Sequence, residues 1–179
     1  MFEATSAQVT AAKKEMIQKT ALDLVTVLNI MHYAEANTDN DWDIAAGYFY
    51  GASGKSDYTI YGRAEKRCAN YGTCTGDGGE AMVNTAIGQA LDGKDSAKLK
   101  KYIQVLYSQN VLRYANKIDQ NMGSDDLPDY IAEGQAFWRI LSIWLTDSTA
   151  VKVFDRMFST VLNPQAANNY NYCIAKKYI

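Results

Sequence analysis

The chain has 179 residues, 47% of them hydrophobic and 21% charged, with a net charge of −2. That is enough for one domain with a sizeable core, spanning residues 1–179. No excess of Lys or Arg exists to neutralise phosphates, which excludes nucleic acid as a default partner. No run of about 18 apolar residues occurs, so membrane insertion is not expected. Met1 to Ser6 lacks the pattern of a secretory leader, and Met1 equally suits an initiator placed before a mature form.

The elements expected along the chain are nearly all helical. Ser6, a suitable N-cap, opens the longest periodic segment, which runs to about Asn37. Asp39, Asn40 and Asp41 predict a turn, and Trp42 to Tyr50 a short apolar helix. Gly51 to Gly62 reads as a loop; its Gly-Ala-Ser-Gly-Lys-Ser run lacks the spacing and the preceding strand of a phosphate loop. Arg63 to about Asn70 predicts a helix ended by Gly72, and Gly76 to Gly79 a flexible turn. Glu80 to Leu91 is helical in pattern. Asp95 or Ser96 caps a long helix to about Met122, with Gly123 as terminator. Ser124 to Asp126 leads, through Pro128, into a helix from Tyr130 to about Leu145. Asp147 and Ser148 start another that runs to Leu162 and ends at Asn163-Pro164. The tail from Gln165 to Ile179 suits a last helix.

No alternating strand pattern of useful length appears, so the expected fold is all-α, a multi-helix up-and-down bundle. A weak internal echo points to a duplicated helix-pair unit. Tyr33-Ala34-Glu35 precedes the Asp43–Tyr50 segment, as Tyr114-Ala115-Asn116 precedes Tyr130–Trp138.

Two of these helices carry polar groups where apolar ones are expected. In the first, Ile17, Ala21, Leu24, Leu28 and Met31 form a stripe that continues into Glu35, with His32, the only histidine, beside it. In the sixth, Glu133 precedes Phe137, Ile140 and Trp144 at helical spacing. Carboxylates and an imidazole set in a core are costly unless something binds them. His32 and Glu35, three residues apart, are neighbours on a helix surface, a geometry that fits a metal ion, a proton relay or an interhelical polar pair. A single His in reversed order excludes the usual ferritin-like di-iron site and a His-rich zinc enzyme. What remains is one imidazole with oxygen ligands, hard donors matched to ferric iron, Mn or Ca. Glu133 is the best candidate to meet His32 and Glu35 across packed helices, with Tyr33 or another of the 13 tyrosines and Glu65 completing the shell.

Arg63, Glu65, Lys66 and Arg67 form either a solvated face or a cluster that turns Arg63 or Arg67 inward to hold an anion. Arg139 is a further anchor for an anion, and Arg113 a partner for an inward acid. Cys68 and Cys74 bracket a turn-prone stretch and are either bridged, implying an oxidising compartment, or free thiols; Cys173 is the odd one. No serine sits in a recognisable elbow, so nucleophilic catalysis is not expected and the chain reads as no enzyme.

Three runs resemble a known family: Asp43 to Gly51 (DIAAGYFYG), Gly62 to Cys74 (GRAEKRCANYGTC) and Ala132 to Arg139 (AEGQAFWR). They are similar to the algal Fe-assimilating, low-iron-inducible periplasmic proteins, which are secreted and associated with iron uptake. The likeness covers residues 28–160, and its most specific part is the stretch around Arg63 to Cys68. His32-x-x-Glu35 is also similar to the His-x-x-Glu motif of imelysin-like helical bundles, with Ile30 where that motif has glycine. The resemblance implies iron-ligand roles for His32, Glu35 and Glu133, oxidation of Cys68 and Cys74, and a secreted or periplasmic location. It also implies ferric iron as cofactor, handed to a membrane iron-uptake system. The rival readings are a binding module for a small anion, such as bicarbonate or a sugar acid, anchored by arginines, and a purely structural protein.

Overall fold

The computed structural model describes residues 5–52, 58–76, 79–158 and 172–179. Among them the fold is all-α, with eight helices: α1 (Ser6–Ala36), α2 (Asp39–Tyr50), α3 (Ile60–Tyr71), α4 (Met82–Asp92), α5 (Ser96–Gln120), α6 (Leu127–Ser142), α7 (Ser148–Phe158) and α8 (Tyr172–Ala175). The only extended pairing among the described residues is an isolated antiparallel bridge, Cys74 with Ala81.

The helix starts follow side-chain capping, and this shifts several expected boundaries. Thr5, not Ser6, caps α1: its Oγ1 accepts from the Gln8 backbone N–H at 3.3 Å while its own N–H donates to Gln8 Oε1 at 2.8 Å. Asp39 to Asp41 are the first turn of α2 rather than a loop, because Thr38 and Asp41 form a capping box. The chain reverses one step earlier, at Asn37, whose φ is +64°. Thr59 caps α3 by accepting from the Gly62 N–H at 2.9 Å, so that helix opens at Ile60, three residues before the expected start. Gly72 ends it in the left-handed region, φ +63°, as expected of a terminating glycine. Asp95 caps α5 through the Lys98 N–H, and Asp147 caps α7 through the N–H groups of Thr149 and Ala150. The expected end at Leu162, with Asn163-Pro164, lies outside the described residues, as do Asp77 and Gly78 of the glycine-rich turn.

The chain forms two compact units, 22–106 and the combination of 1–21 with 107–179. The divisions fall inside α1 and α5, so each long helix contributes a segment to both. In the first unit α2, α3 and α4 pack on one another. Val27, Ile30, Trp42, Phe49, Ile60, Ile87 and Leu99 are buried there, each stabilising the fold by about 1.5–3 kcal/mol. In the second, α6 packs on α7 and α7 on α8. Its core is aromatic: Tyr107 and Tyr114 lie against Phe137, and Phe154 lies between Trp138 and Phe158. Gly134 is required here by proximity. A Cβ at that position would fall on the Phe158 ring, 2.6 Å from Cδ1 and closer still to Cε1.

Most of the expected stripe of α1 does not face the core: of its five apolar residues only Met31 is buried, and Leu24 is half-buried. Ile17 is 61% exposed and Leu28 49%, and Ala21 and Glu35 are exposed as well. Asp23, Val27, Ile30 and Ala34 are buried instead. This opposite face is also at helical spacing, and α1 carries apolar residues nearly all round, so periodicity alone could not choose between the two.

Candidate functional site

In the 22–106 unit a polar cluster lies where α3, the Cys68–Cys74 loop and α4 meet. A disulfide joins Cys68 at the end of α3 to Cys74, with a Cα–Cα distance of 4.8 Å. Beyond it a short ladder runs back: Thr75 N–H donates to Glu80 O at 2.9 Å, and Met82 N–H to Thr73 O at 2.9 Å. The covalent clamp and these bonds fix Glu80 and the start of α4 beside α3.

Oxygen-bearing side chains converge on this junction. Glu65 Oε1 accepts from the Ala81 N–H at 2.9 Å and from Asn84 Nδ2 at 2.7 Å. Asn84 Nδ2 also donates to the Tyr61 carbonyl at 3.0 Å. Asn84 is 1% exposed, and its Oδ1 has no hydrogen-bond partner among the described residues. Tyr61 Oη donates to Glu80 Oε1 at 3.2 Å, and Thr85 Oγ1 to Glu80 Oε2 at 3.2 Å. The Tyr50 ring, at the end of α2, lies 5.6 Å from that of Tyr61. Burial, followed by the hydrogen bond and charge of Glu80 and the charge of Glu65, pushes the Tyr61 phenol up to about 12. Burial, then the charges of Asp92 and Glu80, raise Tyr50 as well. Two phenols, two carboxylates and a buried amide oxygen thus share one junction, open to solvent through Glu80 and Tyr50.

The residues expected to form a site are distributed otherwise. His32 is exposed on α1, its ring edge-on to Tyr33 at 5.2 Å, while Tyr33 stacks on Tyr48. Glu35 is exposed too. The expectation that both point into a core is therefore corrected: they sit on the outward side of the turn that buries Met31 and Ala34. Glu133, on α6, is half-buried as expected. Its carboxylate accepts from the Lys19 ammonium, which also bonds Glu15 at 2.7 Å. The hydrogen bonds and charges of Glu133 and Glu15 outweigh the burial of Lys19 and hold its pKa above the usual value. Nearby Asp129 is pushed up by burial and by the charges of Glu133, Glu15 and Asp126. The described residues contain no group of three or more His, Cys, Asp or Glu side chains able to share a metal ion.

Of the arginines, Arg63 and Arg67 turn inward, each 9% exposed. Arg63 Nη2 donates to Asp23 Oδ1 at 2.6 Å, so an internal carboxylate already occupies that guanidinium. Arg139 is exposed on α6, beside an open cleft of about 240 Å³ that Trp138 and Asp155 also line. Glu65, expected to complete the shell around His32, Glu35 and Glu133, belongs instead to the oxygen cluster at the α3–α4 junction. Cys173 is an exposed free thiol. Sequence reading missed Asp23, Tyr61, Glu80 and Asn84. Asp23 did carry a signal, its spacing to Val27, Ile30 and Ala34; the other three are joined by a loop clamp whose geometry no spacing reveals. No family model, curated protein or solved structure matches the chain.

Proposed function

We infer that this chain is a non-catalytic iron-binding protein of an extracellular or periplasmic iron-assimilation system, with ferric iron as its cargo. The observation that carries this reading is the cluster of Tyr50, Tyr61, Glu65 and Glu80 at the α3–α4 junction. Phenol and carboxylate oxygens are hard donors, suited to a small, highly charged cation. The Asn84 carbonyl oxygen adds a neutral donor of the same kind. The phenol protons leave when the metal binds, so affinity falls as pH falls. The disulfide supports an oxidising compartment, and no described helix is long and apolar enough to cross a membrane. The resemblance of the Gly62–Cys74 run to iron-assimilation proteins supports the same reading, because that run supplies Glu65 and both bridged cysteines.

Titration with ferric citrate, followed in the visible phenolate-to-iron charge-transfer band, tests this. One ion is expected per chain. Tyr61→Phe should remove most of the band, and Glu80→Gln should weaken binding at least tenfold, about 1.4 kcal/mol. His32→Ala and Glu133→Ala should leave both unchanged. Failure of the unsubstituted protein to retain iron would overturn the functional reading. A band and affinity unaffected by Tyr61→Phe and Glu80→Gln would remove the cluster from it while leaving iron binding in place.

A further inference from the structure

The outward face of α1 is apolar from Ile17 to Leu28. Ile17 is 61% exposed, Leu22 44%, Val25 56% and Leu28 49%, with Ala21 exposed among them. Such a face on one uninterrupted helix is a contact surface awaiting a partner. Lys14, Ala21, Leu28 and Glu35 stand one heptad apart along it, with Ile17, Leu24, Val25 and His32 between them. A lysine therefore closes one end of the stripe and a glutamate the other, and both are exposed.

We propose that this face pairs with the same face of a second copy, antiparallel, about a two-fold axis between Leu24 and Val25. The register is self-complementary. It sets Lys14 of each copy against Glu35 of the other, and Ala21, the smallest residue of the stripe, against Leu28. It also packs Ile17 against the flat ring of His32 and brings Leu24 beside Val25. The parallel arrangement would place Lys14 on Lys14 and Glu35 on Glu35, a like-charge clash at both ends. A two-fold interface needs this property, one patch that complements itself. The seam from Lys14 to Glu35 is roughly 32 Å long at 1.5 Å per residue. One helix per copy lies at the low end of stable interface sizes, so the dimer is concentration-dependent.

Sedimentation equilibrium over a range of concentrations reads this directly. The weight-average mass should rise from the monomer value towards twice that value. Val25→Asp should hold it at the monomer value throughout. Lys14→Glu should weaken association at least tenfold, and Lys14→Glu combined with Glu35→Lys should restore it. These positions are exposed, and circular dichroism verifies that each variant is folded. In a Cys173→Ser background, Ala21→Cys with Leu28→Cys should oxidise to a linked dimer, since the two positions lie too far apart along one helix to bridge within a chain. A monomer at every concentration overturns the proposal. Association unaffected by Val25→Asp overturns it as well, and so does failure of the double charge reversal to rescue the single one.

Discussion

Asp23 is 1% exposed, and its carboxylate is held by the Arg63 guanidinium at 2.6 Å. Two charges removed from water at this depth attract strongly, but both have lost hydration, so the pair's net contribution is small compared with the cost of leaving either one alone. Arg63→Leu is therefore expected to destabilise the chain by about 3–5 kcal/mol, because the buried Asp23 carboxylate would lose the guanidinium that faces it. The double variant Asp23→Leu/Arg63→Leu should recover much of that loss. Urea unfolding of the three proteins checks this; additive losses in the double variant would show that the two residues act independently. Glu133 faces a similar requirement and meets it differently. Half-buried, it accepts from the Lys19 ammonium of α1, an ion pair that offsets the cost of placing a carboxylate on an apolar stripe.

At the scale of elements, local chemistry sets where helices begin and packing sets how close they come. Thr5, Thr38, Thr59, Asp95 and Asp147 each satisfy backbone N–H groups that the first helical turn leaves bare. Asp95 and Asp147 were legible as caps in the sequence; for α1 the neighbouring Ser6 was the expected cap in place of Thr5, and neither Thr38 nor Thr59 was marked as a cap by its surroundings. The approach of α7 to α6 was not legible. Gly134 lets the Phe158 ring lie against the α6 backbone, and only the fold brings these two residues together. Gly134→Ala should lower stability, since forcing a methyl onto a buried ring costs about 1–3 kcal/mol. The helix-propensity gain of alanine, about 1 kcal/mol, offsets part of that. A midpoint of thermal unfolding above that of the parent would show that the ring yields freely.

For the whole molecule, the proposed ion binding has a consequence that can be measured, its linkage to stability. A ligand that binds the folded chain and not the unfolded one stabilises it according to its saturation, about 2.7 kcal/mol at a hundredfold excess over Kd. Ferric citrate in that excess should raise the unfolding midpoint near neutral pH. The gain should shrink as pH falls and protons compete for the phenol and carboxylate oxygens. An equal rise in Tyr61→Phe would show that the ion stabilises the chain from elsewhere.

Apart from the pairing of Cys68 with Cys74, which the residues left open and the family resemblance implied, the sequence by itself determined the fold class, the rough span of most helices and the helix end at Gly72. These follow from periodicity, caps and terminators, whose physics acts over a few residues. Only the tertiary structure decided which side of α1 is buried, since both sides carry apolar residues and the Asp23–Arg63 pair joins the inward one to α3. It also decided that Glu133 meets Lys19, and that Tyr61, Glu65 and Glu80 lie together. The partners in the two ion pairs are 40 and 114 residues apart in the chain, a separation at which only packing, and no spacing rule, selects which charges meet.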